Sequence, residues 1–135
     1  TETYFYNGEA VLEGELAPAG WKIPDSDDWQ ALKEYTKDSA SILKAGEWEV
    51  LKEGDTIDSG SNLTGFSAYP VGIWGAGKNI SQKQLVCYWT LNETENSIPE
   101  QSISFTGSST KFSVAATHVK NETYYKAFSI RCIKE

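Results

Sequence analysis

The run Gly20-Trp21-Lys22-Ile23-Pro24-Asp25-Ser26-Asp27-Asp28-Trp29-Gln30-Ala31-Leu32 leaves the backbone few choices. Trp21 and Ile23 alternate around Lys22, the period of two of a strand with one buried face, which turns both apolar side chains inward and Lys22 outward. Pro24 stops the strand: it has no N–H to donate and disfavours helix in the residue before it. Asp25 then stands where a helix cap is needed, its carboxylate free to accept the orphan N–H groups of the first turn. Asp28, three residues on, supplies an acidic capping box, and Asp27 adds negative charge at the positive end of the helix dipole. Trp29, Leu32 and Thr36 fall on one helical face, which carries an indole and a leucine into a core. The helix is predicted to run to about Lys37 or Asp38.

Ahead of this unit, Thr3-Tyr4-Phe5-Tyr6 reads as a short strand ending at the turn dipeptide Asn7-Gly8, with residues 9–13 pairing back or irregular. Behind it, residues 38–44 predict a second short helix, capped by Asp38 or Ser39 and ended by Gly46, with Trp48 packed beneath. Residues 49–63 turn to Gly, Asp, Ser and Asn, a loop composition. Residues 65–70 alternate like a strand, and 72–84 read as a long excursion around an isolated Trp74. From Gln84 the pattern is all β. Leu85–Thr90 is a central strand; 102–106 and 111–116 form a hairpin around Gly107-Ser108-Ser109; a final strand runs from about Lys126 to Ile133. Polar loops fill 92–100 and 117–123. Helices first and an antiparallel meander second make an α+β fold, and 135 residues make one domain, 1–135.

A net charge of −7 and a pI near 4.7 argue against nucleic acid, which needs a clustered basic face; the lysines are scattered and Arg131 is the one arginine. No apolar run approaches the roughly 20 residues that span a bilayer, so this domain is not expected to insert in a membrane. No signal-peptide pattern opens the chain, and Thr1-Glu2-Thr3 suits a mature or trimmed end equally. Five Trp and seven Tyr suit a core built from rings, and equally a binding face. Cys87 and Cys132 both lie in strand-like segments and form either one disulfide between neighbouring strands or two buried thiols.

Catalysis finds little support. His118 is the single histidine and sits in a polar loop, so a Ser–His–Asp triad has no framework. Two Cys and one His do not make a zinc site, and no helix pattern follows Gly72, Gly75 and Gly77 to build a phosphate loop. Calcium is a fairer candidate, since Asn92, Glu93, Glu95, Asn96 and Glu100 offer hard oxygen ligands in one loop, but ordinary solvated loop acids are the better reading of the cluster. The acids at 25–28 are accounted for by helix capping. Trp74 in its glycine-rich loop, and Tyr124-Tyr125 after Asn121-Glu122-Thr123, interleave rings with amides and carboxylates, as sites for sugars or proteins do. Trp74 either covers the core or offers its ring to a ligand; adjacent tyrosines in a strand point oppositely, so one of the pair faces solvent. Asn62, Asn79, Asn92 and Asn121 each open an Asn-x-Ser/Thr triplet, which marks expected exposed positions.

Gly20-Trp21-Lys22-Ile23-Pro24 with Asp28-Trp29 and Leu32, then Gly65-Phe66-Ser67-Ala68 with Pro70 and Gly72, then Tyr88-Trp89, then Phe128-Ser129-Ile130-Arg131-Cys132-Ile133 occur in that order. Over residues 17–135 the chain resembles the Fibrobacter succinogenes major paralogous domain family of secreted and surface proteins of Bacteroidetes. The resemblance implies a C-type lectin-like fold, similar also to formylglycine-generating enzymes: two helices flanking a small twisted antiparallel sheet with long loops. Ala17 stands where many members have Cys, which leaves Cys132 to pair with Cys87 or stay free. Trp89-Thr90-Leu91-Asn92 replaces the family's Trp-Ser-Ser-Thr.

The resemblance further implies a secreted or cell-surface, non-catalytic recognition domain, anchored at the outer membrane through segments outside this sequence. Its ligand would be a glycan or a host or bacterial surface protein, met by loops around 74–80, 92–97 and 121–125. The expected contact residues are Trp74, Asn79, Asn92, Glu93, Asn121, Glu122, Tyr124 and Tyr125. No cofactor is expected, unless the acidic loop takes calcium. The alternatives are a structural or tip subunit of a pilus or surface assembly, and an enzyme of the formylglycine-generating type using Cys87 and Cys132.

Overall fold

The computed structural model describes residues 3–91, 99, 101–116 and 126–135. Strand β1 (Tyr6–Asn7) is shorter than the expected one, and it leads directly into helix α1 (Gly8–Glu13), which corrects the reading of Asn7-Gly8 as a turn. The Asn7 side chain accepts the Ala10 N–H at 2.9 Å and caps the helix; Gly14, at φ 76°, ends it in the left-handed conformation.

Strand β2 (Trp21–Lys22) is followed, as predicted, by helix α2 (Ser26–Tyr35). Its capping box is complete: the Asp28 N–H donates to Asp25 Oδ1 at 2.9 Å and the Asp25 N–H donates to Asp28 Oδ2 at 3.0 Å. Lys22 Nζ lies 3.1 Å from Asp28 Oδ2. Burial pushes the Asp28 carboxyl up, but the Asp25 N–H and the Lys22 ammonium outweigh it and hold the group below its ordinary value. Trp29 and Thr36 are buried and Leu32 packs against the core, as the spacing requires. Trp21 does not follow its expectation. It is 44% exposed, whereas Lys22 is half-buried and turned onto Asp28. The reason is that β2 pairs in a two-stranded ladder with β9 (Ile133–Lys134), and Trp21, opposite Lys134, lies on its open side.

The predicted second helix is also absent. Lys37 and Asp38 take positive φ (54° and 59°), which stops helical propagation, and Asp38 Oδ1 accepts the Phe112 N–H instead of capping a new turn. Residues 39–44 form turns that drop Leu43 and Lys44 into the interior. Trp48 is buried as expected, its Nε1–H donating to the Ala45 carbonyl at 2.9 Å.

The expected excursion at 72–84 contains a hairpin, β3 (Ile73–Gly75) and β4 (Lys78–Ile80), and the expected strand at 65–70 contributes one parallel bridge, Lys44 with Ala68. β5 (Leu85–Trp89), β6 (Gln101–Thr106) and β7 (Ser113–Ala116) form a three-stranded antiparallel sheet where the sequence placed a central strand and a hairpin. The predicted last strand is split into β8 (Ala127–Phe128) and β9. β8 joins a second sheet in the order β1-β8-β3-β4. Between its pieces, Ser129 bridges to Tyr88, so β5 couples the two sheets.

The alternation along β5 divides the interior. Val86 and Tyr88, with Phe105 and Ile103 opposite them on β6, meet Trp29, Leu43 and Trp48. Cys87 and Trp89 point the other way, to Val11, Ile23, Ile73 and Phe128. Trp89 Nε1–H donates to the Tyr6 carbonyl at 2.6 Å and ties this second core to β1. Two helices with antiparallel sheets make the fold α+β.

Candidate functional site

Direct cross-strand partners share a sheet face, and successive residues alternate. Across the four-stranded sheet this rule aligns Asn7, Ala127, Trp74 and Asn79 in one row, and Tyr6 with Phe128 on the other face. Trp74 is 43% exposed between buried Ile73 and Gly75, so its ring faces outward. Asn79 stands directly opposite and is exposed, its Nδ2 donating to the Val71 carbonyl at 3.3 Å. Two of the expected contact residues are thus neighbours. The other six, Asn92, Glu93, Asn121, Glu122, Tyr124 and Tyr125, lie outside the described residues, as do His118 and most of the acidic loop considered for calcium. Asn62 is half-buried rather than exposed, its amide holding Ser67 through bonds of 2.8 and 3.0 Å.

Residues that the sequence did not single out form a groove of about 340 Å³ on the Tyr6 face of this sheet. Buried Tyr88 and Val86 of β5 line it with Tyr6, the exposed Tyr4, Ser67, Tyr69, Ser129, Ile130 and Arg131. The lining segments are held locally. The Ser129–Tyr88 bridge, with hydrogen bonds of 3.1 Å (Trp89 N–H to Ser129 carbonyl) and 3.0 Å (Ser129 N–H to Cys87 carbonyl), fixes the Ser129 segment against β5. The Asn62 amide holds Ser67 at φ 62°. The Ala68 N–H donates to Leu43 at 2.9 Å and the Ala45 N–H donates to Ala68 at 3.0 Å, which anchors the segment carrying Ser67 and Tyr69. Gly46 lies under the Tyr69 ring so closely that a Cβ there would sit 2.9 Å from Tyr69 Cδ1. Tyr69 is therefore braced from below while remaining 53% exposed.

Arg131 stands exposed at the end of the groove, its guanidinium 4.6 Å from the centroid of the Phe66 ring. Stacking of this kind orients the planar fork without neutralising it. Among the described residues no carboxylate pairs with it; the ion pairs there are Lys22–Asp28 and Lys44–Asp58. Arg131 also lines a second, mainly apolar cavity of about 240 Å³, together with Pro24, Asp28, Trp29, Leu32, Phe66, Cys132 and Ile133. Burial pushes the Tyr88 hydroxyl well above its ordinary value, and the nearby Arg131 charge opposes that shift.

Cys87 and Cys132 are free thiols, the first buried and the second half-buried. Burial pushes the Cys87 thiol up to about 11, against the weaker pull of a bond with Ser102, and burial also raises Cys132. An activated cysteine needs the opposite shift. Among the described residues, no three Cys, His, Asp or Glu converge on a metal-sized site.

The family model described as the Fibrobacter succinogenes major domain matches residues 1–134. The chain belongs to that family. No curated protein and no solved structure matches it. In this member of the Fibrobacter succinogenes major domain family, the lining segments 3–6, 67–71, 86–88 and 129–131 are far apart in sequence, which is why their tyrosines carried no motif. The available signal was compositional: seven Tyr, and a single Arg in an acidic chain.

Proposed function

We propose that this domain is a non-catalytic recognition module of a secreted or surface protein and that it binds a saccharide in the tyrosine-lined groove. The observation that carries the reading is the lining itself: Tyr4, Tyr6, Tyr69 and Tyr88 with Ser67 and Ser129 around about 340 Å³. Tyrosine faces stack on the C–H faces of sugar rings, and phenol and serine hydroxyls exchange hydrogen bonds with sugar hydroxyls. The volume lies at the lower end of small-molecule sites and suits one or two sugar units. Raised thiol values at both cysteines favour binding over a cysteine-based enzyme. A C-type lectin-like arrangement is part of the proposal, supported by two helices, antiparallel sheets and the long stretch 36–72 without helix or strand. The exposed row around Trp74 and Asn79 is a second, smaller surface on the opposite face of the sheet.

A glycan array probed with the wild type and with Tyr69→Ala tests the reading. Binding to a defined sugar class that Tyr69→Ala abolishes and Trp74→Ala leaves intact is the expected result. A blank array would favour a protein ligand or an assembly subunit. One observation suits the latter: Val114 is 62% exposed on β7, the last strand of its sheet in the described fold. Sedimentation showing a concentration-dependent oligomer that Val114→Lys dissolves would establish that reading instead.

A further inference from the structure

The proposed groove carries a charge asymmetry that narrows its ligand. The chain has 19 acidic residues and a net charge of −7, yet among the described residues none that lines the groove is a carboxylate. The formal charge among those described lining residues is the guanidinium of Arg131, the chain's single arginine. That guanidinium is exposed, stacked on Phe66, and unpaired among the described residues. Arg131 thus brings planar, charged donors to the lining of a cavity edged by hydroxyl groups. We infer that the groove takes an acidic saccharide, a sugar with a uronic-acid carboxylate, and that Arg131 receives that carboxylate.

The inference rests on the groove being the ligand site. Arginine suits this role because its fork matches a carboxylate with two parallel hydrogen bonds, and the Phe66 stack holds the fork's plane in advance of binding. The sugar ring then lies toward Tyr69 and Tyr88, with Ser67 and Ser129 in reach of its hydroxyls. The overall negative charge opposes anions at long range. At physiological ionic strength that field is screened within about 8 Å, so contact with Arg131 decides selectivity.

Calorimetry on the whole chain tests this with oligosaccharides of glucuronic, galacturonic and mannuronic acid, each compared with its methyl ester, which keeps the ring and removes the charge. The expected result is that at least one acid binds about tenfold or more tightly than its ester, and that Arg131→Gln erases this difference. Because the ester comparison is made on the wild type, it holds even if Arg131→Gln fails to fold. Equal affinity for acid and ester, or an acid preference that survives Arg131→Gln, overturns the inference and leaves the saccharide reading standing. Failure of every acid and ester to bind, with peptides bearing a free C-terminal carboxylate binding in their place, overturns both.

Discussion

Lys44 carries its ammonium group to a fully buried position and satisfies it almost entirely with backbone. Nζ donates to the carbonyls of Asp58, Thr106 (2.8 Å) and Ser109 (3.1 Å), lies 3.7 Å from Asp58 Oδ2, and sits 4.5 Å from the Trp48 ring centroid. Burial lowers its value, and Asp58 opposes that shift. One side chain thus pins the irregular 49–63 segment to the turn between β6 and β7. Lys44→Met is expected to cost roughly 3 kcal/mol in urea unfolding, because the three carbonyls and Asp58 lose their donor together. Cys87 gives a second residue-scale expectation. Its folded value of about 11 lies above its unfolded value of 9.0, so its contribution is complete below pH 9 and is lost as pH rises toward 11. Tyr88 acts in the same sense above its ordinary value of 10.0, and Lys44, lowered from 10.5, in the opposite sense. The difference in stability between wild type and Cys87→Ala isolates the thiol. It should shrink by about 2–3 kcal/mol between pH 8.5 and 11, measured by denaturant titration.

At the scale of elements, α2 shows how much a short sequence can specify. Proline stop, aspartate cap, acidic first turn and an inward aromatic at the fourth helical position all agreed, and the capping box formed with both of its hydrogen bonds. Asp25→Ala should cost about 1 kcal/mol, read as a shift in the thermal midpoint. The central strand β5 and the β6–β7 hairpin were legible for the same reason: propensity, alternation and turn residues pointed one way. Elements set by distant partners were not. Asp38 reads as a cap, yet its carboxylate is taken by the Phe112 N–H seventy-four positions on. Asn7-Gly8 reads as a hairpin turn, yet its amide starts a helix. Gly107 shows the same dependence. A Cβ there would come within 1.9 Å of the Glu49 carbonyl oxygen, so the loop lies against the hairpin turn only because that position is bare. Gly107→Ala should lift the loop and destabilise the fold by more than the Asp25→Ala change, checked in the same thermal experiment.

For the whole molecule, the fold gathers four separated segments around one groove and leaves an arginine at its end. The exposure of Trp74 and Asn79 was legible because a glycine-rich setting advertised them. The groove was not, since Tyr4, Tyr6, Tyr69, Tyr88 and Arg131 become neighbours only through the Ser129–Tyr88 bridge and the pairing of β1 with β8. The brace under Tyr69 supplies a test that alters no lining residue. Gly46 has φ 84°, and Gly46→Ala should both strain the backbone and displace the Tyr69 ring, weakening ligand binding by more than it lowers the thermal midpoint. The most direct measurement is a backbone-amide NMR titration of the wild-type protein with a saccharide selected on the array. The account predicts that the largest shift changes fall on residues 67–71, 86–88 and 129–131 and vanish in Tyr69→Ala. Shift changes centred on 73–80, with the groove silent, would place recognition on the Trp74 face and contradict it.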